Sequence, residues 1–199
     1  MKELKALLKN ECDMKIDDDV LDLFLSRAES VTVASMKCFV EAGTYSPYMW
    51  IIKSGIVRVV DMNGDKERTI AFGLPGTVFT LKHSFVKGLP SYYELWSCCE
   101  CELLRVSRHD FDALMRESHR FAIWMFHLMM EELFYQEKKN SSVANGPAKD
   151  RFEALFRHRP EIIEKVQQKD IASYLGVSPE YLCRLKRKMS SKKTKNLLN

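Results

Sequence analysis

The 199-residue sequence predicts an α+β protein in three parts: a small antiparallel β-barrel, a long apolar helix and a C-terminal helix-turn-helix unit. Three observations carry this. Between about Val31 and Ser107, short stretches rich in β-branched and aromatic residues are punctuated by glycine and proline. Residues 120–139, RFAIWMFHLMMEELFYQEKK, leave almost no polar face over the first four turns of a helix. Residues 170–188, DIASYLGVSPEYLCRLKRK, have the spacing of two short helices packed across a glycine corner.

The strands are placed at 38–40, 49–53, 56–61, 68–72, 78–81, 92–99 and 102–106. Asn63-Gly64 is the clearest hairpin signal, because a type I′ turn requires positive φ at both central residues. Gly43, Gly55, Gly73 and Gly76 mark other corners. Short strands at intervals of roughly ten residues hide their edges by curling on themselves, which predicts the barrel.

A helix begins near Asp110 with a boundary at Ser118 or His119, and the long helix follows. A helix apolar all round is buried on more than one side. One side faces the barrel; a second copy of the helix in a two-fold homodimer covers the other, with Phe121, Trp124, Met125, Leu128, Met129 and Tyr135 as the dimer-helix residues. The alternative is a helix sandwiched between two domains of one chain. Residues 139–149, KNSSVANGPAK, cluster the Ser, Asn, Gly and Pro of a hinge.

In the C-terminal segment Ile171, Ala172, Leu175, Val177, Leu182 and Leu185 form the apolar seam. Gly176 supplies the left-handed conformation that closes the first helix. Ser178 caps the second, and Pro179 suits its first position, where a missing N–H costs nothing. Charge gives this unit its chemistry. From Lys149 onward there are 13 Lys or Arg against 6 Asp or Glu, whereas residues 1–148 carry 18 against 21, so the overall +4 conceals a polarised molecule. Arg184, Lys186, Arg187, Lys188, Lys192, Lys193 and Lys195 fall in one stretch without an acidic residue, an electrostatic footprint for the phosphates of double-stranded DNA.

Other classes find little support. With 46% apolar and 29% charged residues, the composition is that of an ordinary folded protein. No apolar run approaches the ~20 residues of a membrane span, and the charged start is unlike a secretory signal, so a cytoplasmic location is expected. The cysteines are read as reduced thiols and small buried hydrophobes, with Cys99 and Cys101 on one face of a strand and Cys98 on the other. No His set has metal-ligand spacing, so neither metal nor cofactor is expected. An enzyme is disfavoured, since no H-x-H plus Glu set, nucleophile elbow or phosphate loop is present. The competing reading is a small-molecule-binding or metal-dependent jelly-roll protein of the cupin kind whose DNA reader has lost function.

The pieces FVEAG (39–43), WIIKSGIVRVV (50–60) and LPGTVF (74–79), the long helix, and above all DIASYLGVSPEYLCRLKR resemble the catabolite activator/FNR family of bacterial transcription regulators over nearly the whole length. The resemblance implies a cyclic-nucleotide-binding-like jelly roll at 1–110, a dimerisation helix at 111–139, a hinge at 140–149 and a helix-turn-helix domain at 150–199. It places Glu180 and Arg184 at the base-reading positions, where Arg donates a bidentate pair to guanine and a carboxylate accepts from cytosine. An exposed i,i+4 ion pair is the plainer reading of these two. Ser178, Tyr181, Lys186, Arg187, Gln168 and Lys169 are placed for phosphate. The implied partners are double-stranded DNA, a second copy of the chain and RNA polymerase, with the small-molecule effector unidentified.

Two departures matter. Phe79-Thr80-Leu81 stands where the cyclic-nucleotide members have Gly-Glu, and Ser91-Tyr92-Tyr93-Glu94 stands around the position of their phosphate-binding Arg. Without that guanidinium a buried phosphate lacks its charge-assisted partner, which argues against cyclic AMP as effector. Thr80, Phe85, Ser91, Tyr92, Tyr93 and Trp96 are candidates to line a pocket for another ligand, against the reading of the aromatics as filled core. The tail after Met189 is too short for the β-hairpin wing of many relatives.

Overall fold

The structure, a computed structural model, describes residues 1–64, 66–140 and 146–196, and their side chains except those of 63, 139, 140 and 189–196. Of the hinge stretch, residues 141–145 lie outside the described residues.

Two short helices, α1 (Lys2–Leu8) and α2 (Asp18–Ser26), precede eight strands. These are β1 (Glu29–Val33), β2 (Cys38–Val40), β3 (Tyr48–Ser54), β4 (Val57–Asn63), β5 (Lys66–Gly73), β6 (Val78–Thr80), then after helix α3 (Lys82–Lys87), β7 (Tyr93–Ser97) and β8 (Cys101–Ser107). Helices α4 (Arg108–Glu117), α5 (His119–Asn140), α6 (Ala148–His158), α7 (Pro160–Lys165), α8 (Gln168–Leu175) and α9 (Pro179–Asn196) complete the chain. Strand β1 and helix α3 are absent from the sequence reading. β1 exists because its five residues pair in register with β8 from Glu29↔Arg105 to Val33↔Cys101, a long-range partner that local pattern does not reveal.

The expected closed barrel is an open sandwich. The strands form two antiparallel sheets, ordered β1-β8-β3-β6 and β2-β7-β4-β5, with no ladder between them among the described residues. The edge strands β2 and β6 are only three residues long, too short to carry pairing from one sheet to the next. The sheets enclose Val33, Val40, Trp50, Ile52, Val57, Leu95 and Leu103. On its outer face the first sheet presents Met49, Ile51, Leu104 and Val106 to the helical layer, where Leu8, Leu21, Phe24, Phe121 and Trp124 cover them. Burial on both faces explains the unbroken apolar run at 49–52.

The turn between β7 and β8 corrects the placement of the cysteines on one strand: β7 ends at Ser97, and Cys98 and Cys99 lie in the connection. Cys98 joins the apolar cluster outside the second sheet, while Cys101 is enclosed between the sheets with its Sγ 3.4 Å from the Ile56 carbonyl oxygen. Gly55, in the turn between β3 and β4, leaves room for this connection to pack against it. Its φ is +90°, and a Cβ there would lie 2.5 Å from Cys101 Sγ and 2.6 Å from the Glu100 carbonyl oxygen. Gly55→Ala therefore destabilises the protein by about 2–4 kcal/mol, combining backbone strain with overpacking; the midpoint of a denaturant titration measures it.

The C-terminal helices pack on the outer face of the second sheet. One apolar cluster joins Ile56, Phe72 and Cys98 of the sheet region to Phe152, Leu155, Ile162, Ile171, Ala172, Leu182 and Leu185 of the helices. Helix α8 also covers the edge strand β5: the Thr69 amide donates to Ser173 Oγ at 3.0 Å, and the Phe72 and Tyr174 rings meet at 5.1 Å. An edge amide that would otherwise face water is thereby paired.

Candidate nucleic-acid interface

Helix α8 ends at Gly176, whose φ of +63° lets the chain reverse. The Gly176 amide donates to the Ser173 carbonyl and the Val177 amide to the Ala172 carbonyl at 3.0 Å, satisfying carbonyls that a helix end leaves unpaired. Arg151 adds a second clamp, donating to the carbonyls of Leu175 at 2.7 Å and Gly146 at 2.6 Å. After the turn, Ser178 Oγ accepts from the Tyr181 amide at 3.2 Å, and Pro179 opens α9. Leu182 and Leu185 are buried against α8 and α6. That burial fixes the rotation of α9 about its axis and turns Glu180, Tyr181, Arg184, Arg187 and Lys188 outward. Ser178 is exposed at the helix start, Lys186 is half-buried, and Gln168 and Lys169 are exposed at the start of α8.

No ion pair joins Glu180 to Arg184. The Arg184 guanidinium instead lies over the Tyr181 ring, 5.4 Å from its centre. The Glu180 carboxyl is held below the usual carboxylate range, first by the Ser178 hydroxyl and then by its backbone, with the charge of Arg184 contributing less. The two side chains are thus oriented separately. Beside Arg184 is a cleft of about 330 Å³ lined by Lys149, Phe152, Glu153, Tyr181, Leu185 and Lys188. The cleft has an apolar floor of Phe152 and Leu185 and a mixed rim in which Lys149 pairs with Glu153 at 3.7 Å beside Arg184 and Lys188.

The residues assigned to an effector pocket are divided among layers. Phe85 is buried under the Arg108 guanidinium and edge-on to Phe111, within the core between sheet and helices. Trp96 lies beneath Arg58, with its Nε1 donating to Glu94 at 2.7 Å. Thr80 Oγ1 donates to the Tyr48 carbonyl. Ser91 Oγ donates to the Tyr93 carbonyl and accepts from the Tyr93 amide. Tyr92 is exposed and stacks on His83 at 4.0 Å. Ser91 and Tyr93 are brought together; Phe85 and Trp96 are not.

Helix α5 carries two apolar stripes. Phe121, Trp124 and Met125 are buried in the chain's own core, and Leu128 packs against its margin. Phe126, Met129, Leu133, Phe134 and Tyr135 are exposed, the first four on one face at i, i+3, i+7 and i+8. The sequence reading counts Phe126, Leu133 and Phe134 among the apolar residues of this helix but leaves them out of the dimer-helix set, because a helix apolar all round gives no phase with which to separate two stripes.

Four thiols have raised pKa values, chiefly through burial: Cys98 is pushed up to about 12, Cys38 and Cys101 to about 11, and Cys12 upward. They are protonated at neutral pH and poor as nucleophiles or ligands. No helix among the described residues is long and apolar enough to cross a membrane.

The profile of the cyclic nucleotide-binding domain matches residues 31–118. Among curated proteins no sequence matches. Among solved structures the chain is similar to FixK2 from Bradyrhizobium japonicum, with 17% identity and a TM-score of 0.70 over 83% of this chain and 86% of that one. It is also similar to the c-di-GMP-responsive global regulator CLP of Xanthomonas campestris, with 17% identity and a TM-score of 0.68 over 89% and 93%. A third likeness is the catabolite activator protein of Thermus thermophilus, with 19% identity and a TM-score of 0.58 over 94% and 88%. Residues 31–118 are thus similar to the cyclic nucleotide-binding domain, and the chain has the fold of these three solved structures.

Proposed function

We propose that the protein is a sequence-specific DNA-binding transcription regulator that reads a near-palindromic operator as a homodimer and is not controlled by cyclic AMP. The observation that carries the reading is α9: Ser178 caps it, Leu182 and Leu185 anchor it, and Glu180 and Arg184 point outward from it. Glu180 and Arg184 read base edges; Ser178, Tyr181, Lys186, Arg187, Gln168 and Lys169 hold the phosphates. The sandwich is the sensor, α5 joins two copies through its exposed stripe, and residues 140–149 are the hinge. DNA and a second copy are the partners, in the cytoplasm. The case against cyclic AMP rests on Ser91-Tyr92-Tyr93-Glu94, a stretch with no cation and with Glu94 already bonded to Trp96.

Selection of duplexes from a random pool by the full chain tests this. The expected product is a near-palindrome whose half-sites lie one helical turn apart, about 34 Å. Recovery of no preferred sequence overturns the reading. On the selected duplex, Arg184→Ala costs ~1–3 kcal/mol and flattens discrimination at one base pair, whereas Lys186→Ala weakens all sequences alike and lowers the salt slope by about one. If both variants lose only non-specific affinity, Arg184 does not read a base.

A further inference from the structure

The face by which α8 meets the sensor sheet contains an ion pair that DNA binding itself does not use. Arg58, on β4, projects from the outer face of the second sheet, and its guanidinium lies 3.0 Å from the Asp170 carboxylate of α8; the two side chains are 3% and 4% exposed. The same guanidinium donates to Glu67 at 3.0 Å and to Thr69 Oγ1 at 3.3 Å, and it lies over the Trp96 ring, 5.3 Å from its centre. The second carboxylate oxygen of Asp170 is buried with no hydrogen-bond partner among the described residues. Burial pushes the Asp170 carboxyl up despite the cation beside it, so the cost of desolvation exceeds what the attraction returns. A pair on those terms is poor glue. It is a good register mark, because apolar surfaces such as Phe72 on Tyr174 can slide, while a planar guanidinium held by three oxygens above an indole cannot.

Docking consumes the inner face of α8 and leaves the outer face of α9 in solvent. The contact therefore orients the reader without covering it. Two readers on slack tethers accept half-sites at many separations, whereas two fastened readers accept one.

We propose that Arg58, a residue of the sensor sheet, is a positioning residue for operator recognition: through Asp170 it sets the register of α8 on the sheet, and so the half-site spacing that a dimer accepts. The inference rests on the DNA-binding reading given above. Removing one partner leaves the other charge buried and unpaired, and at a domain face the charge regains water if the domains part.

The test uses the full chain and duplexes carrying two inverted copies of the half-site selected by the wild type, moved apart by up to about five base pairs, half a helical turn. Wild type is expected to favour one spacing by about tenfold or more. Arg58→Met loses affinity for that spacing by about tenfold, in proportion to the fraction no longer docked, and binds all spacings within about threefold. Its base preference within a half-site stays that of wild type, which also shows that α8 and α9 remain folded. The double variant Arg58→Met/Asp170→Leu, with an apolar pair of similar volume, recovers affinity because no charge is left buried and unpaired, but not the preference for one spacing; Arg58→Lys, which lacks the fork, does not recover that preference either. A wild-type protein that selects no half-site overturns the DNA reading and this proposal together. A protein that selects a half-site but keeps its spacing preference in Arg58→Met overturns this proposal alone, as does Arg58→Met binding the operator more tightly than wild type.

Discussion

On the proposed dimeric reading, Phe126→Glu combined with Leu133→Glu yields a monomer whose affinity for the selected duplex is lower by about 10²–10⁴-fold, the loss expected when two tethered binding events become one. Phe126 is 60% exposed and Leu133 57% exposed within one chain, so the substitutions leave the fold of the protomer alone. Burying either carboxylate against the matching stripe of a second copy is strongly unfavourable. Sedimentation reports the oligomeric state and titration of the selected duplex reports the affinity. A variant that still sediments as a dimer shows that copies meet elsewhere. On the proposed reading the effect differs in kind from that of Arg184→Ala: one removes a copy, the other removes discrimination at one base pair.

Trp124→Ala destabilises the protein by ~3–5 kcal/mol, the range for removing a large buried aromatic side chain. Trp124 is fully buried on α5, 5.8 Å from the Phe24 ring and 6.0 Å from the Phe121 ring, at the point where the long helix grips the helical layer over the first sheet. Its indole N–H has no hydrogen-bond partner among the described residues. Trp124→Phe consequently costs much less than Trp124→Ala, since it keeps most of the apolar volume and removes a buried donor that is unpaired. Denaturant titration of the two variants gives the comparison. An Ala variant as stable as wild type would mean that the helix is held by other contacts.

Local chemistry was legible in the sequence where a single residue dictates the backbone. Gly176 and Ser178 mark the end of α8 and the start of α9, because a left-handed corner and a capping hydroxyl are local requirements. Seven strands were placed within a few residues of their positions for the same reason. Long-range pairing was not legible. β1 became visible only through β8, and closure of the barrel depended on edge pairing that no local pattern encodes. The aromatics between Phe85 and Trp96 are close in sequence but point into different layers, so proximity along the chain misled about proximity in space. Arg58 carried a faint signal, a charge within the apolar run IVRVV; its partner lies 112 residues away in Asp170, beyond the reach of any sequence window.

The seam between α8 and β5 has a further consequence for solubility. With the helix lifted away, β5 presents an open row of backbone groups flanked by Phe72, the template that another strand recruits in fibril growth. The C-terminal helices thus shield this edge, and a fragment of residues 1–118 prepared without them is expected to be more exposed to strand-by-strand self-assembly than the full chain.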